Sequence, residues 1–274
     1  MSNGIEGRGE RGEDESSQRS AVSGQSPEAW SQEPEAEDRG AGELTQNSSR
    51  HPTAKRKQAT PLTPHPSPLT PHSSRPLILG ITGASGLIYA VRALKFLLEA
   101  DYAIEMVASK AVYMVWQAEQ ETRMPPDPLQ QEQFWRQQAG VDRAGKLTCH
   151  SWSDVGATIA SGSFRTLGML ILPCSMSTVA KLAGGLSSDL LERAADVQLK
   201  EGRKLVVVPR ETPFSLIHLR NLTALAEAGA RIVPAIPAWY HKPQTIEDLV
   251  DFVVARALDQ LDIDCVPLTR WEGH

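Results

Sequence analysis

The sequence predicts an α/β fold, in which a doubly wound, Rossmann-like (flavodoxin-like) parallel sheet carries helices on both faces. Three observations predict it. From Pro76 onward, short apolar runs alternate with segments of helical periodicity. The first apolar run, Leu77–Ile81, leads into the glycine-rich turn at 83–86. A later run, 204–208, is rich in valine and leads to Arg210 and Glu211.

The elements can be placed in order along the chain. Strands are expected at 77–81, 103–107, 169–172, 204–208 and 230–236. Helices are expected at 87–100, across a Gln-rich stretch at 110–140 with a proline break, after 173–178, and at 188–202, 214–228 and 245–261. Strand and helix alternate throughout, which is typical of a parallel sheet with crossover helices.

Residues 1–75 differ sharply from this pattern. They are rich in Ser, Gly, Glu, Gln and Pro, and Trp30 is their only aromatic residue. Such a segment cannot bury enough apolar surface to offset its chain entropy, so we expect a disordered tail. Residues 59–72 repeat Pro-Leu-Thr-Pro-His and favour polyproline II, as in a linker. The predicted organisation is a tail at 1–75 and one domain at 76–274.

Composition limits the classes of function. The formal net charge is -5, and the three basic residues 55–57 lie in an acidic tail, so we expect no nucleic-acid partner. No signal or transit peptide and no apolar run long enough for a membrane span are visible. Three widely spaced cysteines indicate a reduced, cytoplasmic protein without a disulfide framework, and no metal-ligand motif is present.

The charges of Arg210 and Glu211 directly follow a predicted buried strand. In open α/β sheets, ligands bind at the carboxyl ends of the strands. We therefore interpret these residues as part of a site. The alternative is a solvated turn with an incidental ion pair.

Two strand-to-helix junctions could bind anions. Thr82–Gly86 allows close backbone approach and offers amide groups at a helix start, and Ser175, Ser177 and Thr178 form a second such junction. Ordinary helix capping is the alternative for these hydroxyls. Ser109 and Lys110 stand where NAD-binding folds place an acidic residue, and no Tyr-x-x-x-Lys pair occurs, so a nicotinamide cofactor is not expected.

Other candidates have simple explanations when taken singly. Arg193 and Lys200 share one face of a predicted helix, but a solvated, salt-bridged helix would look similar. Cys174 has no histidine nearby in sequence to activate it, which indicates a small core residue.

Together these motifs resemble the flavin prenyltransferases of the UbiX/Pad1 family. The resemblance runs from about Leu77 to Trp271, and it rests on several ordered motifs: 82–86, 109–111, 173–175, 192–200, 208–211, 240–243 and 248–256. Members of this family attach a dimethylallyl group to N5 and C6 of reduced FMN. The prenylated flavin then serves a UbiD-type decarboxylase.

The resemblance assigns roles residue by residue. It implies that FMN is bound by residues from four junctions: Gly83, Ala84, Ser85, Ser109, Ser175, Met176, Ser177, Thr178 and Arg210. It implies that the phosphate of dimethylallyl phosphate is bound by Lys200, Tyr240 and Arg256, with Arg193 nearby. Ser85, Glu119 and Glu211 match positions linked to catalysis, and Trp271 matches an aromatic residue near the prenyl site.

The resemblance also implies a homo-oligomer, a dodecamer in which protomers share sites. Small departures from the family pattern occur at 176–177, 187–188 and 238–239. Competing hypotheses are an FMN-dependent cysteine decarboxylase of the same fold, a direct aromatic-acid decarboxylase, and a flavin carrier without enzymatic activity. The first usually carries a Pro-x-Met-Asn segment, whereas this chain has Pro-Cys-Ser-Met at 173–176.

Overall fold

Residues 75–267 form a six-stranded, fully parallel sheet with helices on both faces. The parallel, doubly wound architecture was predicted, with five of the six strands. The structure, a computed structural model, describes residues 75–267; the predicted tail at 1–75, apart from Arg75, and Trp271 lie outside the described residues. The strand order is β3-β2-β1-β4-β5-β6. The order reverses between β1 and β4, which is the position at which doubly wound sheets open a crevice for a ligand.

The bounds of the elements are as follows. The strands are β1 Leu77–Ile81, β2 Ala103–Ala108, β3 Lys146–His150, β4 Gly168–Cys174, β5 Leu205–Pro209 and β6 Arg231–Ile232. The helices are α1 Ile88–Glu99, α2 Val112–Gln120, α3 Pro128–Ala139, α4 Met176–Ala183, α5 Leu190–Lys200, α6 Leu216–Glu227 and α7 Ile246–Asp259, with a short 3-10 helix at Thr158–Ala160.

The sheet divides the hydrophobic core into two layers. Successive strand residues point to opposite faces, so Leu77 and Leu79 enter one layer and Ile78 enters the other. The first layer contains the buried sides of α1, α2, α3 and α7. The second contains those of α4, α5 and α6. A residue on α5 and a residue on α7 therefore lie on opposite faces of the sheet.

Two strands differ from the sequence-based expectation. β3 was not predicted, because Lys146–His150 has only one fully buried side chain, Leu147, and pairs at the sheet edge through β2 alone. β6 was predicted over 230–236 but covers only Arg231–Ile232. Pro234 and Pro237 follow it, and proline cannot donate to a strand ladder.

The predicted proline break between α2 and α3 is present. α2 ends at Gln120, and the next residue, Glu121, adopts a left-handed conformation with φ 53°. α3 begins at Pro128, after Asp127 caps its amino end by accepting a hydrogen bond from the amide of Leu129.

None of the helices in residues 75–267 is both long enough and apolar enough to cross a membrane. The same range holds no group of three or more His, Cys, Asp or Glu side chains that could hold a metal ion.

Candidate functional site

The carboxyl ends of β1 and β4 are tied together by Thr82. Its hydroxyl donates to the carbonyl of Pro173 at 2.9 Å and accepts from the amide of Ser175 at 2.7 Å. Thr82 is 1% exposed, so both bonds are shielded from water. This buried side chain fixes the relative positions of the two junctions at the point where the strand order reverses.

The first junction is a close backbone turn. A Cβ atom added to Gly83 would lie 2.4 Å from the Cβ of Ala111, and Gly86 adopts φ +99°. Only glycine fits either position without displacement. Within residues 75–267, the amides of Gly83, Ala84 and Ser85 donate to no protein acceptor. The turn therefore offers three free donors to a ligand.

Glu119, near the end of α2, fixes the other side of this turn. Its two carboxylate oxygens accept hydrogen bonds from the amides of Gly86 at 2.7 Å and Leu87 at 3.0 Å. The carboxylate thereby satisfies free amides at the start of α1. In the structure, Glu119 holds the turn in position. The catalytic role that the family resemblance implies for Glu119 stays a prediction.

The second junction starts α4. The Ser175 hydroxyl accepts from the amide of Thr178 at 3.3 Å and lies 3.1 Å from the Thr178 hydroxyl. Ser175 therefore caps the amino end of α4, as the capping alternative expects. In the described chain, the amides of Met176 and Ser177 have no protein acceptor. Capping and anion binding can coexist here, because a cap satisfies only part of a helix amino end.

Arg210 joins the end of β5 to the first junction. Its amide donates to the carbonyl of Cys174 at 3.1 Å, and its Nε donates to the carbonyl of Ser85 at 3.0 Å. The guanidinium thus contacts the turn rather than the adjacent carboxylate of Glu211. Arg210 and Glu211 do not form an ion pair in the structure, so the alternative of an incidental ion pair is wrong.

Glu211 lies beside this contact. One of its carboxylate oxygens accepts from the amide of Thr212 at 3.0 Å, and the side chain is half-buried. It lines a cavity of about 250 Å³ together with Arg210, Phe214 and Ile236. A partly exposed carboxylate at a cavity wall is placed to exchange protons with a ligand.

Tyr89 packs against the same turn. Its ring lies 3.1 Å from the position a Gly86 Cβ would take. Burial raises the pKa of Tyr89, and the positive charge of Arg210 partly offsets that increase. The phenol is therefore a neutral hydroxyl at physiological pH.

Ser109 extends the site toward β2. Its amide donates to the carbonyl of Ile81 at 2.8 Å, which holds the end of β2 against β1. Next to it, Lys110, Ala111, Tyr113, Met114 and Trp152 line an apolar cavity of about 490 Å³. Apolar surface therefore adjoins the polar junctions directly.

Cys174 lies in the core, as predicted. The side chain is 0% exposed, and burial raises the pKa of its thiol well above the ordinary range. A protonated, inaccessible thiol is a poor nucleophile.

Arg193 and Lys200 lie on α5 and are both partly exposed. Arg193 pairs with Asp196 at 3.0 Å, and Lys200 pairs with Glu201 at 3.1 Å. Lys200 is the last residue of α5, just before β5 begins at Leu205. Lys200 therefore lies near the amino end of β5, whereas Arg210 follows its carboxyl end. The five residues of β5 between these two ends span about 16 Å.

Tyr240 and Arg256 lie on the other face of the sheet, with α7. The Tyr240 ring packs edge-on to Phe252 of α7, with centroids 5.8 Å apart. Arg256 follows Phe252 by one helical turn and pairs with Asp259 at 2.7 Å. The Arg256 and Tyr240 side chains are both substantially exposed.

The candidate residues therefore form three separate groups. One chain brings the four junctions that were predicted to bind flavin together at the carboxyl edge of the sheet. It does not bring Lys200 and Arg193 to Tyr240 and Arg256, because α5 and α7 pack on opposite faces. The link made by the buried Thr82 side chain was not predicted. In the sequence, its only sign is a hydroxyl residue directly before the glycine-rich turn.

Comparison with known proteins places these residues in a family. Residues 66–258 match the Flavoprotein family. The chain is 76% identical to "Flavin prenyltransferase UbiX" of Synechocystis sp. over 200 residues, which are 73% of this chain and 97% of that protein. It is 44% identical to the protein of the same name from Pseudomonas aeruginosa, over 72% of this chain and 95% of that protein.

Solved structures agree with the sequence relatives. The fold is similar to that of AnUbiX (PadA1) in complex with FMN and dimethylallyl pyrophosphate, with a TM-score of 0.64, 38% identity, and coverage of 73% of this chain and 98% of that one. It is also similar to a dodecameric FMN-dependent UbiX-like decarboxylase from Escherichia coli O157:H7, with a TM-score of 0.63, 41% identity, and coverage of 72% and 99%.

Proposed function

Because the chain belongs to the UbiX flavin prenyltransferases within the Flavoprotein family, we propose that it transfers a dimethylallyl group from dimethylallyl phosphate to reduced FMN. The observation that carries the proposal is the contact of Arg210 with the Ser85 carbonyl, alongside the Thr82 link. These contacts gather the free donors and the cation that a flavin phosphate needs at one edge of the sheet.

The flavin residues fit this substrate. Free amides at 83–85 and at the start of α4 suit phosphate and carbonyl oxygens, and Arg210 supplies the positive charge. The absent side chain of Gly83 permits the close approach that the turn requires. Reduced FMN supplies the nucleophilic N5 and C6 positions when it is bound.

The proposed role of Lys200, Arg193, Tyr240 and Arg256 is to bind the phosphate of the donor. When the allylic C–O bond breaks, the electron pair leaves with the phosphate, and its charge grows. Cations and a hydroxyl placed around that group lower the barrier. These residues reach one ligand only if different copies of the chain contribute them, so the proposal includes a homo-oligomer with shared sites; the E. coli relative is dodecameric.

Glu211 is the proposed acid/base. Forming the new ring at C6 requires loss of a proton from that carbon, and Glu211 lines the cavity beside Ser85 and Arg210. Ser85 is exposed at the same place and can orient the transfer through its hydroxyl. The product would serve a UbiD-type decarboxylase, as the family resemblance implies.

The rival hypotheses receive less support. The relatives that share most of the chain at high identity are named flavin prenyltransferases rather than cysteine decarboxylases. A flavin carrier gives the cations of α5 and α7 no role beyond their ion pairs with neighbouring carboxylates. A direct aromatic-acid decarboxylase leaves the same cations unexplained.

A single assay tests the proposal. The purified protein is incubated anaerobically with reduced FMN and either dimethylallyl phosphate or the corresponding diphosphate, and the extracted flavin is weighed by mass spectrometry. We expect a gain of one five-carbon unit with the monophosphate. Unchanged flavin with both donors, while an active prenyltransferase modifies it in parallel, contradicts the proposal and leaves the carrier hypothesis.

A further inference from the structure

Three aromatic rings meet where the segment before α7 packs against that helix. The His241 imidazole stacks on the buried Phe252 ring of α7, with ring centroids 5.3 Å apart and an angle of 4° between the planes. The Tyr240 ring lies edge-on to both of them, with its centroid 5.8 Å from each. We call Tyr240, His241 and Phe252 the ring cluster, in which each ring contacts the other two.

The His241 imidazole is held in the ring cluster without a hydrogen bond. Both of its ring nitrogens are buried, and neither has a hydrogen-bond partner among the residues that the structure describes. Burying an unpaired polar atom costs free energy, because the atom gives up its hydrogen bonds to water. In the described chain the imidazole therefore acts on Tyr240 and Phe252 through its ring contacts, and stacked and edge-on contacts of this kind are favourable.

The backbone that follows the ring cluster is held in a different way. The Asp248 carboxylate accepts a hydrogen bond from the amide of Gln244 at 2.8 Å. The Gln244 side chain donates to the carbonyl of Lys242 at 2.8 Å. These bonds fix the backbone between His241 and α7, but none of them contacts the Tyr240 ring. Removing the His241 ring and loosening this backbone are therefore separable changes.

We propose that His241 is a positioning residue for Tyr240 and that its ring holds the Tyr240 hydroxyl toward the phosphate of the donor. The inference rests on the proposed function, in which Tyr240 binds that phosphate. Tyr240 is 46% exposed, so solvent leaves space for other rotamers of its ring. Contact with the imidazole stabilises the rotamer in which the two rings meet edge-on. Because the hydroxyl lies at the far end of the phenol ring, a change of rotamer moves it away from a bound phosphate.

The first test asks whether His241 acts through the Tyr240 hydroxyl. His241→Ala is made in the wild-type chain and in Tyr240→Phe, which lacks that hydroxyl, and prenylation is measured as kcat/KM for dimethylallyl phosphate. We expect His241→Ala to lower kcat/KM about tenfold in the wild-type chain and by less than about twofold in Tyr240→Phe, because the hydroxyl is already absent there. An equal loss in both backgrounds, or no loss in either, overturns the proposal. His241→Leu, which keeps apolar volume without an aromatic ring, replaces His241→Ala if that variant does not fold.

Two further variants separate ring contact from other effects. His241→Phe keeps a flat ring that can stack on Phe252, and we expect it to restore kcat/KM to within about threefold of the wild-type value. Gln244→Ala, the matched control, removes the hydrogen bond to the Lys242 carbonyl but no ring, and we expect a similarly small effect. If His241→Phe is as impaired as His241→Ala, the imidazole nitrogens carry the role; if Gln244→Ala is as impaired, the order of the backbone does. Either result overturns the proposal.

A measurement without turnover keeps this proposal apart from the proposed function. The chain has four tyrosines, so incorporated fluorotyrosine gives four fluorine NMR signals, and Tyr240→Phe identifies the signal of Tyr240. We expect His241→Ala to move that signal toward its position in the unfolded protein, and Gln244→Ala to leave it in place. A signal that does not move in His241→Ala overturns the proposal. If the wild-type protein never modifies FMN, the proposed function fails, and the placement of the Tyr240 ring is judged on this signal alone.

Discussion

The carboxyl edge of the sheet and its two helical faces hold different halves of the candidate site. At the edge, Thr82 links the β1 and β4 junctions, and Arg210 links β5 to the turn. This half is assembled within one chain. On the faces, Lys200 ends α5 and Arg256 lies on α7, with the whole sheet between them.

The difference follows from the geometry of the fold. Parallel strands carry all their carboxyl ends to one edge, so residues distant in sequence meet there. Crossover helices leave that edge and cover opposite faces, so their outward residues diverge. We infer that the proposed flavin-binding half is preorganised by folding, whereas the proposed phosphate-binding half depends on association between copies.

Replacing the proposed acid/base at the carboxyl edge should have the largest effect on turnover. We expect Glu211→Gln to slow prenylation by about 10²–10⁴-fold, because the amide cannot accept the proton. FMN affinity should stay close to that of the wild type. Turnover by flavin mass and FMN binding by fluorescence quenching check both points, with Glu99→Gln as the control. Wild-type turnover in Glu211→Gln removes Glu211 from the chemistry.

Removing one cation from either face should have the next largest effect. We expect Lys200→Ala and Arg256→Ala each to reduce turnover by about 10²–10³-fold, because the departing phosphate loses a stabilising charge. Bound FMN should be retained, since neither residue lies at the carboxyl edge. Lys95→Ala is the matched surface control. Unchanged turnover in both variants contradicts the phosphate assignment.

Arg210→Ala tests whether the carboxyl edge of the sheet binds FMN. We expect the dissociation constant of FMN to rise by about ten- to a hundredfold, because a charged hydrogen-bond donor to the ligand is lost. Titration of the apoprotein with FMN measures it, and Arg220→Ala is a control from the same segment. An FMN affinity equal to that of the wild type means that Arg210 only braces the turn through Ser85.

Glu119→Gln should give the smallest effect. A glutamine offers one acceptor oxygen, so one of the amides of Gly86 and Leu87 loses its partner at a cost of about 1–2 kcal/mol. For a domain of this size we expect the midpoint of thermal unfolding to fall by about 2–8 °C. Glu132→Gln on α3 is the control. A midpoint equal to that of the control shows that the carboxylate is not needed to hold the turn.

The fold could be predicted well from the sequence where strands are buried. β1, β4 and β5 are buried along their whole length and appear as continuous apolar runs. β3 was not predicted because an edge strand needs few apolar residues. β6 was overextended because Val233 and Ile236 continue an apolar pattern that two prolines interrupt.

The grouping of the candidate site residues could be predicted only in part. Residues at strand ends could be assigned to one edge, because strand direction fixes where the ends lie. The face covered by each helix depends on how the crossovers pack, which periodicity does not encode, so the separation of Lys200 from Arg256 was not predicted. The contact of Glu119 with a turn 33 residues earlier is likewise a tertiary property.

The most direct test of a site shared between copies is complementation between two inactive variants. Lys200→Ala and Glu211→Gln chains are co-expressed with different tags, and the mixed assembly is purified through both tags. If the two residues come from different copies, about one quarter of the sites in a random mixture contain both native residues, so we predict prenylation at about that fraction of wild-type activity. Activity no higher than that of either variant alone contradicts the shared site.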